Sequence, residues 1–172
     1  MQKKTAQGFT LVELLVVISI IIILATVVMI VINPFETLKR GRDSTRLSDL
    51  VNLQQAINVA VQESASTSAQ ILCKGTTAPC RGASNDASSR ANSGSGWVKV
   101  DLSSQQTVSV PTLPIDPSDG ATYHYVYCSD GNAWKIESKL ESTKELARLT
   151  GDGGIDTTLY EVGSNLSIVC AY

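Results

Sequence analysis

This sequence has a single histidine, a small net charge and no phosphate-binding motif. Its one histidine, His124, gives a histidine-rich metal site or a Ser-His-Asp arrangement little to draw on. No Gly-rich phosphate loop follows a predicted strand. The formal net charge is −2, and the chain after residue 64 has 8 Lys or Arg against 11 Asp or Glu, so nothing points directly to nucleic-acid binding. We therefore expect that the protein is not an enzyme.

One long apolar run near the N-terminus contains a single charged residue, Glu13. Residues 9–32 form a stretch of 24 residues in which 14–32 carry no charge. As an α-helix this stretch is about 36 Å long, enough to cross the roughly 30 Å hydrocarbon core of a bilayer. Its few polar residues are Thr10, Glu13, Ser19 and Thr26.

Hydropathy alone leaves three interpretations of this run open. A cleaved secretory signal peptide would end in a small-x-small site, whereas here the chain continues into Asn33–Glu36 without one. A plain single-pass anchor is the second interpretation. Lysines precede the run and a basic group follows it, so the positive-inside rule does not fix the topology. The third interpretation depends on the residues at the start of the run.

Residues 3–14 read Lys-Lys-Thr-Ala-Gln-Gly-Phe-Thr-Leu-Val-Glu-Leu. This segment resembles the N-terminus of the type IV pilin and type II secretion pseudopilin family. The resemblance implies that a prepilin peptidase cuts after Gly8 and that the new N-terminal residue, Phe9, is methylated on its amine. It also identifies Glu13 with the family's glutamate five residues into the mature chain.

The chemistry of Glu13 supports this resemblance independently. A carboxylate within an apolar membrane helix costs roughly 2.5 to 3.5 kcal/mol, and such residues usually have an identifiable partner. Cleavage after Gly8 would create a positive amine at Phe9, about one helical turn away. In a filament the same carboxylate can meet the Phe9 amine of another subunit, so we interpret Glu13 as an assembly residue.

The helix should be interrupted at Pro34, which lacks a backbone donor and biases Asn33 away from helical dihedrals. Beyond it, apolar residues at three- and four-residue spacings predict a half-buried amphipathic helix over 35–63, through Leu47, Leu50, Val51, Ile57, Ala60 and Val61. We interpret the basic group Lys39, Arg40, Arg42 and Arg46 as a solvated collar at its start.

An antiparallel sheet is predicted after two Ser-rich exposed loops, 64–69 and 83–96. Trp97–Leu102 alternates as one strand, and Tyr123–Cys128 forms a second. Asp130-Gly131 centres a hairpin turn that leads to a third strand, Trp134–Leu140, with one buried and one wet face. The predicted fold is α+β and pilin-like, with a long N-terminal helix packed on a small antiparallel head.

Four cysteines lie beyond the apolar run, which suits two disulfides in an oxidising compartment. Three connectivities are possible. We favour Cys73–Cys80, which closes a small loop, and Cys128–Cys170, which ties the C-terminal stretch to the sheet. A zinc site is the alternative, but the spacing is not Cys-x-x-Cys.

The segment Leu113–Pro117 resembles the Leu-Pro-x-Asp-Pro segment of the major pseudopilins called type II secretion protein G. That class binds calcium in a C-terminal loop rich in Asp and Gly, so the resemblance makes Asp152 and Asp156 calcium candidates. The stretch 151–156 departs from the class because it lacks the consecutive acidic pair near the loop's end. A plain turn is the other interpretation, in which case the chain needs no cofactor.

The predicted organisation is a leader over 1–8, a hydrophobic helix over 9–34, its amphipathic half over 35–63 and an extracytoplasmic head over 64–172. The resemblance implies a filament homopolymer, processed by prepilin peptidase and built with an inner-membrane assembly platform and minor pilins. Before assembly the chain would be a single-pass membrane protein contacting lipid, and afterwards part of an extracellular pilus or periplasmic pseudopilus. A G-type pseudopilin and a membrane-anchored binding module that never polymerises are the alternatives.

Overall fold

The computed structural model describes residues 8–86, 90–105 and 107–170. Within these ranges it has four helices and four strands. The chain divides into two compact units, Met1–Leu38 and Lys39–Tyr172. A long N-terminal apolar helix followed by a small antiparallel sheet confirms the predicted α+β, pilin-like fold.

The helices are α1 Leu11–Ile32, α2 Pro34–Glu63, α3 Ser68–Leu72 and α4 Leu146–Gly151. The first unit contains α1 and the first residues of α2. In the second unit, α2 from Lys39 onward buries one apolar stripe, made of Leu50, Leu53, Ala56, Ile57 and Ala60. The predicted stripe was partly wrong, because Val51 is 41% exposed, whereas Leu53 and Ala56 are buried.

The sheet has the order β1 Cys80–Ala83, β2 Tyr125–Ser129, β3 Trp134–Ser138 and β4 Tyr160–Gly163, and all its pairs are antiparallel. β2 and β3 form the predicted hairpin, in which Ser129 pairs with Trp134. Gly131 in its turn has a φ of 93°, a conformation that glycine adopts at little cost. The two edge strands were not predicted.

The two faces of the sheet differ in chemistry. Tyr127, Ile136 and Val162 lie side by side across β2, β3 and β4, and they join the α2 stripe in the main core. The residues between them point to the other face, where Ala83, Val126, Cys128 and Cys170 form a smaller apolar cluster. This second face also carries the charged residues of β3 and β4.

The predicted strand Trp97–Leu102 is wrong. Leu102 N–H donates to the carbonyl of Asn92 at 2.7 Å, and the carbonyl of Lys99 accepts from Lys74 N–H at 2.8 Å, so the backbone pairs with loops rather than with the sheet. Trp97, Val98, Val100 and Leu102 are all buried. The alternation of apolar and polar residues therefore arises because an irregular segment is buried against α2 and the sheet.

The predicted wet face of the third strand is wrong for Lys135 and Glu137, because every residue of β3 is buried. Lys139, which lies beyond the end of β3, is exposed as predicted. In the Ser-rich segment 83–96, Ala83 belongs to β1 and Ser84 is buried, with its hydroxyl accepting from Tyr125 N–H at 2.9 Å. The loop prediction for 87–89 lies outside the described residues. Residues 64–69 are exposed, as predicted, but the predicted loop is wrong at its end, because 68–69 begin α3.

Candidate functional site

The start of α1 places the predicted assembly residue in a capping box. Thr10 is the N-cap, with an extended backbone at φ −80° and ψ 153°. Its hydroxyl accepts from Glu13 N–H at 3.2 Å, and Glu13 Oε2 in turn accepts from both the N–H and the hydroxyl of Thr10 at 2.8 Å. The carboxylate is thus turned back toward the N-terminal end of the helix, where the residue before Thr10 is Phe9.

The surface of α1 is exposed and apolar along its whole length. None of its 22 residues is buried, and its mean hydropathy reaches 3.5. The hydroxyls of Ser19 and Thr26 each donate at 2.8 Å to the carbonyl one turn earlier, on Leu15 and Ile22, so these polar groups are satisfied within the helix. The helix is about 33 Å long, which matches the thickness of a bilayer core.

The residues of the predicted cleavage site are accessible. Phe9 is 90% exposed. A Cβ built on Gly8 would meet no atom within 4 Å, so the space beside this residue is open on that side. The rest of the predicted leader, 1–7, lies outside the described residues.

The interruption between α1 and α2 is a single residue. Asn33 has a left-handed backbone, φ 44° and ψ 78°, and ends α1. Its carbonyl accepts from the N–H groups of Glu36 and Thr37 at 3.1 and 3.2 Å, and its side-chain Oδ1 also accepts from Glu36 N–H at 3.3 Å. Asn33 thus accepts from two of the donors in the first turn of α2, those of Glu36 and Thr37, and Pro34 has no N–H to satisfy.

Two disulfides lie in the head, Cys73–Cys80 and Cys128–Cys170, which are the pairs that the spacing favoured. The first closes the segment between α3 and β1. The second joins β2 to the chain beyond β4, on the second face of the sheet.

The two calcium candidates do not come together as a metal site. Asp152 accepts from Gly154 N–H and Glu161 N–H, at 2.9 and 2.8 Å. Asp156 accepts from the N–H and hydroxyl of Thr158, at 2.8 and 2.6 Å. Among the described residues, no group of three or more His, Cys, Asp or Glu side chains could hold a metal ion. The residues present therefore do not fit calcium.

A buried charge cluster in the head was missed. The predicted solvated collar is wrong for Arg46, which is fully buried. Its guanidinium binds Asp116 through two hydrogen bonds of 2.7 and 2.6 Å, Asp43 at 2.8 Å and Glu141 at 2.7 Å. The Cζ atom also lies 5.1 Å from the ring centre of Tyr123. We call Arg46 with Asp43, Asp116 and Glu141 the Arg46 cluster.

The Arg46 cluster ties three distant segments together. Asp43 accepts from the backbone N–H groups of Glu141 and Ser142, at 2.9 and 2.7 Å, which holds the chain after β3 against α2. Asp116 is the acidic residue of the Leu-Pro-x-Asp-Pro segment, and it also accepts from Ser118 N–H at 2.8 Å. The motif therefore supplies one wall of a buried ion-pair network.

A second arginine on α2, Arg42, also binds Glu141 and favours its ionised form. Arg42 donates two hydrogen bonds to that carboxylate. This contact, together with hydrogen bonds from Ser118 and Arg46, lowers the pKa of Glu141 to about 2, although burial acts in the opposite direction. Glu141 is thus ionised throughout the ordinary pH range.

A fully exposed apolar helix of membrane-spanning length, with a capping-box glutamate in its first turn and a small antiparallel head after it in sequence, defines a pilin-like protein. Residues 3–29 match the family model for the prokaryotic N-terminal methylation motif. The chain thus carries the signature of type IV pilins and pseudopilins, which implies prepilin peptidase processing and polymerisation in general. The match ends within α1 and does not reach the head. No curated protein and no solved structure matches the chain.

Proposed function

We propose that this chain is a structural subunit of a type IV pilus or pilus-like filament. A prepilin peptidase cleaves it after Gly8, the amine of Phe9 is methylated, and the mature subunits polymerise through α1. An inner-membrane assembly platform and minor pilins take part in building the filament. The finished polymer lies outside the cell as a pilus or in the periplasm as a pseudopilus.

The observation that carries this proposal is the surface of α1. Twenty-two consecutive residues bury no side chain, and the polar groups among them are satisfied within the helix. Such a surface is stable in lipid, and equally stable when covered by identical helices in a filament core. The helix can therefore pass from membrane to polymer without exposing apolar area to water.

Glu13 distinguishes an assembling helix from a plain anchor. In the uncleaved chain its carboxylate is occupied by the N–H and hydroxyl of Thr10. Cleavage after Gly8 adds a positive amine on the neighbouring residue, Phe9. An anchor gains nothing from a carboxylate in the bilayer, whereas a subunit can use it to recognise the amine of another subunit.

The alternative is a G-type major pseudopilin of a secretion or competence system. The resemblance of Leu113–Pro117 to the Leu-Pro-x-Asp-Pro segment of that class favours it. In the head, Asp116 of this segment binds Arg46. A pilin and a pseudopilin share the processing and polymerisation steps. They differ in whether the finished polymer lies outside the cell or in the periplasm.

The test is Glu13→Gln in the full-length chain, expressed in a host with a prepilin peptidase and an assembly machine. Glutamine still completes a capping box, so the variant removes the charge and keeps the helix start. We expect leader cleavage to continue, as seen by intact mass, while filaments in sheared material fall by about tenfold or more. Ser19→Ala, which changes an uncharged polar residue of α1, is the matched control and should assemble normally.

Normal filament yield from Glu13→Gln would overturn the charge-pairing step. Retention of Met1–Gly8 in the wild-type chain would favour the membrane-anchored module that never polymerises.

A further inference from the structure

The second face of the sheet contains a buried ammonium between two carboxylates. Lys135 Nζ lies 2.5 Å from Glu161 Oε1 and 3.2 Å from Glu137 Oε2. The three side chains are 2%, 0% and 5% exposed, respectively. These groups lie in the head and are separate from α1 and from the Arg46 cluster.

The strand register explains why a cation is needed at this place. Glu137 on β3 stands directly opposite Glu161 on β4. Like charges directly across an antiparallel pair repel each other, and burial removes the water that would screen them. Lys135 precedes Glu137 by two residues and so lies on the same face, where its ammonium binds both carboxylates and offsets one of their two negative charges.

Glu161 also holds the loop that precedes β4. Its second carboxylate oxygen, Oε2, accepts from Asp156 N–H at 2.9 Å, and its own N–H donates to Asp152 Oδ2 at 2.8 Å. The loop backbone lies so close that a Cβ on Gly154 would collide with this carboxylate. The carboxylate of Glu161 therefore helps to hold the segment 152–161 in place.

The same segment is the one for which the sequence suggested calcium. Calcium takes six to eight oxygen ligands, and it competes poorly for carboxylates that already bind an ammonium or backbone N–H groups. Burial acts to lower the pKa of Lys135, but the hydrogen bond to Glu161 and the charge of Glu137 outweigh it, so the pKa is raised. The ammonium stays charged and so occupies the oxygen atoms of Glu137 and Glu161 that a second cation would need as ligands.

We infer that Lys135 is the internal cation of the C-terminal loop, and that it fixes the segment 152–161 to the sheet in place of a bound calcium ion. The head of this protein then folds and keeps its loop closed without any divalent metal. This inference concerns the head alone and does not depend on whether the chain polymerises.

The test uses the full-length chain in detergent, with thermal unfolding followed by tryptophan fluorescence, in EDTA and in millimolar CaCl₂. The midpoint temperature of unfolding of the wild-type chain should be the same in EDTA and in CaCl₂. Lys135→Met, which keeps an unbranched side chain one atom shorter and removes the charge, should lower the midpoint by roughly 10 °C. Lys139→Met, a change at an exposed lysine on the same chain segment, is the control and should leave the midpoint unchanged.

Limited proteolysis reports on the loop itself. We expect cleavage within 152–158 to be faster in Lys135→Met than in Lys139→Met, while Lys135→Arg, which keeps a cation, stays closer to wild type. A wild-type midpoint that rises in calcium would overturn the inference even if Lys135→Met did not fold. Equal stability and equal loop cleavage in the two methionine variants would overturn it as well.

Discussion

Replacing Arg46 with methionine should remove much of the stability of the head. The guanidinium is fully buried and is shared by Asp43, Asp116 and Glu141. Methionine fills a similar volume but leaves these carboxylates facing each other, with only Arg42 as a nearby cation on Glu141. Breaking a buried pair by removing one partner costs about 3 to 5 kcal/mol. This is a large part of the roughly 5 to 15 kcal/mol that holds a domain folded.

The geometry predicts how other changes at Arg46 rank. Lysine keeps the charge, but its single ammonium cannot reproduce the two parallel hydrogen bonds to Asp116. We expect Arg46→Lys to lie between wild type and Arg46→Met. Arg40→Met is the matched control on the same helix, because Arg40 is 59% exposed and lies 3.8 Å from Glu145. Such surface pairs contribute about 0 to 1 kcal/mol.

The assay is chemical unfolding of the full-length chain in detergent, with near-UV circular dichroism as the signal from packed aromatic side chains. The midpoint should shift strongly for Arg46→Met, partly for Arg46→Lys and barely for Arg40→Met. Equal stability of Arg46→Met and Arg40→Met would refute the conclusion that the Arg46 cluster joins α2 to the rest of the head.

Two further predictions concern acid and the disulfides. Because the pKa of Glu141 falls from 4.5 to about 2 on folding, its contribution of about 3 kcal/mol is complete above pH 4.5 and is lost as the pH falls toward 2. Unfolding midpoints measured across this range should fall less steeply for Glu141→Gln, and an identical slope would contradict the assignment. Replacing Cys128 and Cys170 with serine should lower the free energy of unfolding by about 4 kcal/mol, since that disulfide closes a segment of 42 residues. Replacing Cys73 and Cys80 with serine should lower it by about 2.5 kcal/mol, since that segment spans 7 residues. Denaturant titrations check this order, and the reverse order would contradict it.

The two long helices and the central hairpin were predictable because their signals are local, whereas the short helices α3 and α4 were not predicted. A long apolar run with a single charged residue, Glu13, defines α1. Pro34 marks the break, and Asp-Gly between two aromatic segments marks the turn from β2 to β3. Each signal depends on residues close in sequence, where steric and hydrogen-bonding preferences act directly. These preferences place the elements before any tertiary contact is known.

The charge clusters were not predictable because their partners are distant in sequence. Arg46 meets Asp116 and Glu141, which follow it by 70 and 95 residues. Lys135 and Glu137 alternate with apolar residues as a wet strand face would, yet β4 and its preceding loop cover them. A pattern of polarity shows which residues carry charge, and only the fold shows which charges are paired.

The edge strand β1 was not predicted because its own residues do not favour a strand. β1 reads Cys-Arg-Gly-Ala, which has no β-branched residue and includes a glycine. Gly82 is required there because a Cβ would collide with the carbonyl of Trp97. Pairing with β2 and the close approach of the Trp97 segment, rather than the strand's own propensity, make this stretch a strand.

Mass spectrometry of the native N-terminus tests the central claim most directly. The N-terminal peptide of chains isolated from cells should begin at Phe9, lack Met1–Gly8 and carry one methyl group on its amine. The same processed peptide should be found in sheared filaments. Filaments built from chains that keep Met1–Gly8, or membrane chains that are never processed, would contradict the conclusion that this protein is an assembling pilin-like subunit.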